Sequence, residues 1–319
     1  MSPTPCATGL YRGRDGPYRG GGEHVELIEA SALGVASRTA SLLGESPRWD
    51  ARRGSLWWVD IVGSALHELR ADGSTVSFEL EHPAGAVNLV DDGTLLLATT
   101  EGLEVFDPDS QRSAVRVPVE RELTGRRMND AAVDAHGRVY AGTMRWDAGE
   151  PPHDGVLYRI DPKGNATPIL SEVGCPNGIA WPQPGTMAFV DSLTRSIGLW
   201  AVDPASGALI EQTGAIDVSR FDGIPDGIAL DAVGTLWVAF WGGGAVRRVG
   251  LDGTPLATIE LPTALVTAVA FGGDDLGTLY ITTAREAEDD DDTGAGRLYR
   301  CAPGQRGVLP HRWASSSAR

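Results

Sequence analysis

Cysteine is nearly absent from this chain. Cys6, Cys175 and Cys301 are scattered over 319 residues with no Cys-x-x-Cys pair. That excludes a thiolate zinc cluster and gives no basis for a disulfide scaffold. Long apolar runs are missing too: none approaches the roughly 18 residues a membrane-spanning helix needs. The first 23 residues carry Arg and Gly but no apolar stretch of the kind a secretory leader contains, and they read as a flexible tail. The expected location is therefore the cytoplasm, with no membrane partner. Basic residues are scarce. Lys plus Arg number 27 against 43 Asp plus Glu, a formal net charge of −16. A nucleic-acid partner is excluded on that balance, because neutralising phosphates requires Lys and Arg patches. Helical periodicity is also nearly absent, which excludes a bundle.

What the chain has in excess is glycine, 41 of 319 residues, against a background of about 7%. Combined with an ordinary apolar content, this points to many short strands joined by tight turns. Short segments repeat: GESPRWDARRGSLWWVD from Gly44, AGAVNLVDDGTLLLATT from Ala84, RMNDAAVDAHGRVYAGTM from Arg127, CPNGIAWPQPGTMAFVD from Cys175, PDGIALDAVGTLWVAF from Pro225 and VTAVAFGGDDLGTLYITT from Val266. Each is an apolar strand, a glycine turn and a second apolar strand. The turn glycines Gly54, Gly93, Gly137, Gly185, Gly234 and Gly277 are 39 to 49 residues apart. That is the period of one four-stranded propeller blade. The expected fold is an all-β, six-bladed propeller over residues 24–304, between tails 1–23 and 305–319. Two packed β-sandwiches are the alternative. The stretch HVELIEA from His24 is expected to join the last blade and close the ring, leaving no open edge.

One position recurs at the start of each innermost strand. Glu45, Asn129, Asn177 and Asp226 occupy it in the first, third, fourth and fifth copies, with Gly85 and Thr267 in the others. Asn-Gly and Asp-Gly pairs also serve plain turn chemistry, but Glu is a poor turn residue. Four blades would thus aim two carboxylates and two amides at one point of the channel. Oxygen donors without Cys or His suit calcium, magnesium or manganese, and can hold zinc or ferrous iron.

These residues resemble the SMP-30/gluconolactonase (regucalcin-like) family. The likeness rests on GESPRWD, WWVDI, RMNDAAVD, GRVYAGTM, CPNGIAW, VDS and IPDGIALD, in register from about residue 24 to 304. It implies a six-bladed propeller with one divalent ion in the channel mouth that hydrolyses a sugar lactone to the aldonic acid. On that resemblance Glu45, Asn177 and Asp226 would be metal ligands. Asp226 would also be the general base, Asn129 would sit beside the ion, and Arg127 would bind substrate hydroxyls. Where some members have a Glu, this chain has the shorter Asp147, expected to touch substrate. Other readings are a different ester or organophosphate hydrolase on the same scaffold, or a non-catalytic calcium-binding propeller.

No GxSxG elbow occurs, so a serine nucleophile is not expected. The six histidines fall away from the channel positions and read as surface or turn residues; His153 could edge the pocket. Trp146, Trp181 and Trp241 follow inner strands and read as packing or as sugar-facing rings. The run EAEDDDD, Glu286 to Asp292, reads as a solvated loop or a lid. A closed propeller is expected to be a monomer acting on a small molecule.

Overall fold

The computed structural model describes residues 25–28, 33–146, 153–286 and 294–314. Its strands form six sheets, each built on four antiparallel strands; five of these sets run in chain order, the sixth takes its outer strand from near the N-terminus, and two sheets carry a fifth, parallel strand. The innermost strands are Gly44–Asp50, Ala84–Val90, Arg126–Val133, Pro176–Gln183, Ile224–Leu230 and Val266–Gly272. The fold is a six-bladed β-propeller. Among the described residues no helix is long and apolar enough to cross a membrane.

Burial falls from the axis outward. Second strands such as Ser55–Asp60 and Leu236–Trp241 are buried along their whole length, because both faces press on neighbouring blades. The outermost strand Arg112–Pro118 is mostly exposed. The core is accordingly divided among the seams between blades. Trp57, Leu66 and Phe78 of the first blade pack on Val87, Leu97 and Phe106 of the second. Val190 and Ile197 of the fourth pack on Val238 and Phe240 of the fifth. The last seam joins Trp49, Leu56 and Trp58 of the first blade to Tyr280 and Leu298 of the sixth, with Trp49 stacked on Tyr280 at 6.1 Å. A propeller has no single interior, so each apolar strand face is buried only by its neighbour.

The turn glycines act as their spacing suggests. Gly54, Gly93, Gly137, Gly185 and Gly234 all have positive φ, where a Cβ is strained. The sixth turn is longer, and there Gly273 and Leu276 carry the positive φ instead of Gly277.

An N-terminal strand closes the ring, but it is not the one the sequence suggested. Gly34–Ser37 pairs antiparallel with Leu298–Cys301 as the outer strand of the sixth blade. Glu26–Ile28, within HVELIEA, pairs parallel with Pro255–Glu260 of the fifth. The reason is reach. Ser37 lies seven positions before Gly44, where the first blade begins, so the chain passes directly from the sixth blade into the first.

Residues 306–314 also join the fold. Arg306 O accepts from Ala232 N at 2.7 Å and Gly307 N donates to Leu276 O at 2.9 Å. The chain then runs under the channel, and Arg312–Trp313 pairs parallel with Leu89–Val90 of the second blade. Arg312 bonds Asp50 and Val90 O, and Trp313 is 1% exposed. This strap ties the fifth and sixth blades to the first and second across the end of the propeller.

Candidate active site

Every innermost strand changes register near its start, for instance between Glu45 and Arg48, Met128 and Ala131, and Pro225 and Ile228. Bulges of this kind re-aim side chains. Glu45, Asn129, Asn177 and Asp226 lie at these irregularities and line one cavity of about 30 Å³, together with Arg127, Leu43, Cys175, Ser192, Ile224 and Trp241. That volume holds an ion or a water or two, and no sugar. The second blade offers no side chain because no room exists for one: a Cβ on Gly85 would meet the carbonyl oxygens of Met128 and Asn129 at 2.4 Å. Thr267 is turned to other work. Its hydroxyl bonds Gly44 O at 2.5 Å and Thr282 Oγ1 at 2.9 Å, fastening the sixth blade to the first.

The amides are oriented by hydrogen bonds. Asn129 Nδ2 donates to Pro176 O and to Asn177 Oδ1, both at 2.7 Å. Its own Oδ1 accepts from Arg127. Asn177 Nδ2 donates to Ser192 Oγ at 2.7 Å, and Ser192 Oγ donates to Pro225 O at 2.6 Å. Ser192 therefore fixes which way the Asn177 amide faces. Arg127 and Arg126 alternate along one strand and point to opposite sides. Arg126 pairs with Glu120 at 2.6 Å and Asp154 at 2.8 Å. Arg127 enters the cavity with its guanidinium 5.4 Å from the Trp146 ring centroid, a cation–π contact.

The carboxylates are short of partners. Among the described residues Glu45 Oε2 accepts from the adjacent Ser46 N alone, at 3.1 Å. Asp226 Oδ1 is buried with no hydrogen-bond partner among the described residues. Burial, reinforced by the nearby Asp130 charge, pushes Glu45 up to about 8. Burial and the repulsion of Glu45 hold Asp226 well above the usual carboxylate range. Burial lowers Arg127 to about 10 against the attraction of both acids. One guanidinium cannot satisfy two buried carboxylates, and an orphaned oxygen beside a second acid is the environment that a hard cation relieves. Among the described residues no three His, Cys, Asp or Glu side chains converge as a metal-binding group. The fitting donor set is instead two carboxylates with amide oxygens.

Asp147 lies outside the described residues, as do residues 287–293 of the acidic run. His153 is exposed and sits against Gly174, off the cavity. His67 is a buried strand residue rather than a surface one. Trp241 lines the cavity, Trp146 backs Arg127, and Trp181 lines a different cavity at the far end of the channel. Sequence reasoning passed over two further groups. Ser192 stood within the VDS motif without a role. Asp130, adjacent to Asn129, is felt by both acids, but it accepts from Ala131 N at 2.7 Å and faces Arg48 at 3.8 Å.

Residues 43–285 match the family model described as the SMP-30/Gluconolactonase/LRE-like region. The chain is 35% identical over 82% of its length to a pentonolactonase of Haloferax volcanii, covering 91% of that protein. It is 33% identical over 86% of its length to a 6-deoxy-6-sulfogluconolactonase of Pseudomonas putida, covering 94% of it. A crystal structure of regucalcin from Agrobacterium tumefaciens, described as a calcium-binding protein, superposes with a TM-score of 0.84 at 30% identity, over 91% of this chain and 99% of that one.

Proposed function

The chain belongs to the SMP-30/gluconolactonase/LRE-like family, and from that premise we propose that it is a divalent-metal-dependent hydrolase of a sugar lactone. The observation that carries this is the orphaned, buried Asp226 Oδ1 beside Glu45 and the Asn129–Asn177 amide pair. Glu45, Asn177 and Asp226 would hold the ion, with Asn129 alongside. When bound, a hard divalent cation supplies Lewis-acid stabilisation of negative charge developing on a carbonyl oxygen.

The protein's own groups do the rest. Asp226 is the general base: its carboxylate takes a proton from the water that attacks the lactone carbonyl. The C–O bond to the ring oxygen then breaks, and that oxygen leaves with the proton Asp226 accepted. The products are a carboxylic acid, which ionises to the carboxylate by releasing its proton to solvent, and a hydroxyl on one open-chain molecule. Arg127, braced by Trp146 and Asn129, orients the substrate through its N–H fork. Trp241 and Ile224 give the cavity an apolar side that restricts water. The small cavity admits the reacting carbonyl end while the sugar lies outside it. Pentono- and hexonolactones are the substrate class, in line with the names of the relatives. Asp147 is retained as a substrate contact on the resemblance alone.

The test is acid release from an aldonolactone panel, before and after chelation and with calcium, zinc, manganese, magnesium and iron(II) restored in turn. Activity is expected to vanish on chelation and return with one or more ions. Undiminished hydrolysis after complete chelation overturns metal dependence. Cation binding without hydrolysis of any lactone favours a calcium-binding propeller, a reading that the all-oxygen donor set also suits. Asp226→Asn should lower turnover by roughly 10²–10⁴-fold while leaving the β-sheet circular dichroism unchanged; near-normal turnover removes Asp226 from the role of base.

A further inference from the structure

A second cavity, of about 150 Å³, lies at the other end of the channel. Each innermost strand contributes residues two to four positions downstream of its upper-site residue, the second through Asn88. The strap residues 308–311 form the floor. The walls include Trp49, Trp181, Phe271, Ile179 and Val269. A cavity of this size with such walls accommodates a six-carbon ring. On the rim, Val308 and Leu309 of the strap are 49% and 53% exposed, so apolar surface continues into solvent.

One charged group reaches this cavity from within the channel. The Arg48 side chain is 16% exposed and its guanidinium makes two hydrogen bonds, both to carbonyls: Nη1 to Pro47 O and Nη2 to Ala131 O, each at 3.0 Å. Its nearest carboxylate oxygen, Asp130 Oδ1, is 3.8 Å away, beyond direct hydrogen-bond length. A guanidinium has five N–H donors and is suited to gripping a carboxylate with two of them. Besides Arg48, the lining carries Asn88 and His311 as polar side chains, and Asn88 Nδ2 already donates to Ala131 O at 3.1 Å, so a polyhydroxylated acid would leave most of its hydroxyls without partners there.

We propose that this far-end cavity is a second ligand site, which takes a small monocarboxylate with an apolar body of about six carbons, its carboxylate on Arg48 and its body between Trp49, Trp181 and Phe271. The site is independent of the lactonase reading. Its ligand is chemically unlike an aldonic acid, and the strap forms part of its wall.

Benzoate is the probe, titrated calorimetrically into the full chain in calcium-containing buffer. Saturable one-to-one binding is expected. Benzyl alcohol, which lacks the charge, and acetate, which lacks the body, should bind at least tenfold more weakly. Arg48→Met should weaken benzoate at least tenfold. Leu309→Trp, a bulkier side chain on an exposed part of the strap, should do the same without a folding penalty. Arg127→Met should leave binding within twofold, which separates this site from the upper one. The proposal is overturned if wild type shows no saturable binding, if benzyl alcohol matches benzoate, or if Leu309→Trp leaves affinity unchanged. Loss with Arg127→Met together with retention in Leu309→Trp would assign benzoate to the upper cavity and overturn it equally.

Discussion

Asn177 is held at both ends: Oδ1 accepts from Asn129 Nδ2 and keeps a second lone pair for the cavity, while its nitrogen is anchored away from it. Nδ2 donates to Ser192, which in turn donates to Pro225 O. Partners that orient a ligand typically contribute a factor of 10–100 in metal affinity. Ser192→Ala should therefore weaken calcium binding by about 10–100-fold in calorimetric titration, and should lower the melting temperature of the calcium-free protein only modestly, as Asn177 Nδ2 and Pro225 O lose this partner. At Glu45 and Asp226 the question is protons. Glu45 ordinarily titrates near 4.5 and stands at about 8 in the fold, with Asp226 raised in the same direction. Between those values the folded chain holds more protons than the unfolded chain. By linkage, the stability of the cation-free protein falls as pH rises across that window. Melts in chelator should thus show a pair-dependent loss of stability from pH 5 to pH 8 that Glu45→Gln reduces. A bound divalent cation should expel protons, so cation affinity should increase with pH, and binding enthalpy at pH 7 should vary with the buffer's ionisation enthalpy.

At the scale of the strand, the register shift is what turns a propeller's inner ring into a site. It aims four side chains inward and lets neighbouring strands approach. Gly85 marks one such close approach, against Met128 and Asn129. Gly85→Ala should cost about 1–3 kcal/mol of stability through overpacking, read from denaturant midpoints, and should disturb Asn129 most. Much of this was legible in the sequence because it repeats. Glu45 and Asp226 each stand five residues before an aspartate that opens a turn, Asp50 and Asp231, and those turns need positive φ at Gly54 and Gly234. Local periodicity carries such information. Ser192 was not legible in the same way, since its bonds reach 15 and 33 residues along the chain. Nor was the choice of closing strand. Glu26–Ile28 is the more apolar-looking stretch, but distance from Gly44 decided the matter in favour of Gly34–Ser37.

At the scale of the molecule, stability resides in six seams and one strap. A two-residue strand such as Arg312–Trp313 has no periodicity to detect, which is why 305–319 reads as a tail. Yet the Trp313 ring is buried in the seam between the second and third blades. Trp313→Ala should cost about 3–5 kcal/mol in equilibrium unfolding, with a loss of cooperativity if the strap detaches before the blades separate. The same seams govern how the chain must assemble. The first seam in space is the last that can form in time: Thr267 meets Gly44 across 223 residues, and Gly34–Ser37 waits for Leu298–Cys301. At roughly 5–20 residues per second, the ribosome leaves that first strand without its partner for on the order of tens of seconds. During that interval its backbone amides and carbonyls are available to any neighbouring chain. The outer strands of the blades stay as edges in the finished ring, but the side of Gly34–Ser37 that Leu298–Cys301 covers is open only while the ring is being made, and that nascent edge is where a crowded or overproducing cell would begin to aggregate this protein.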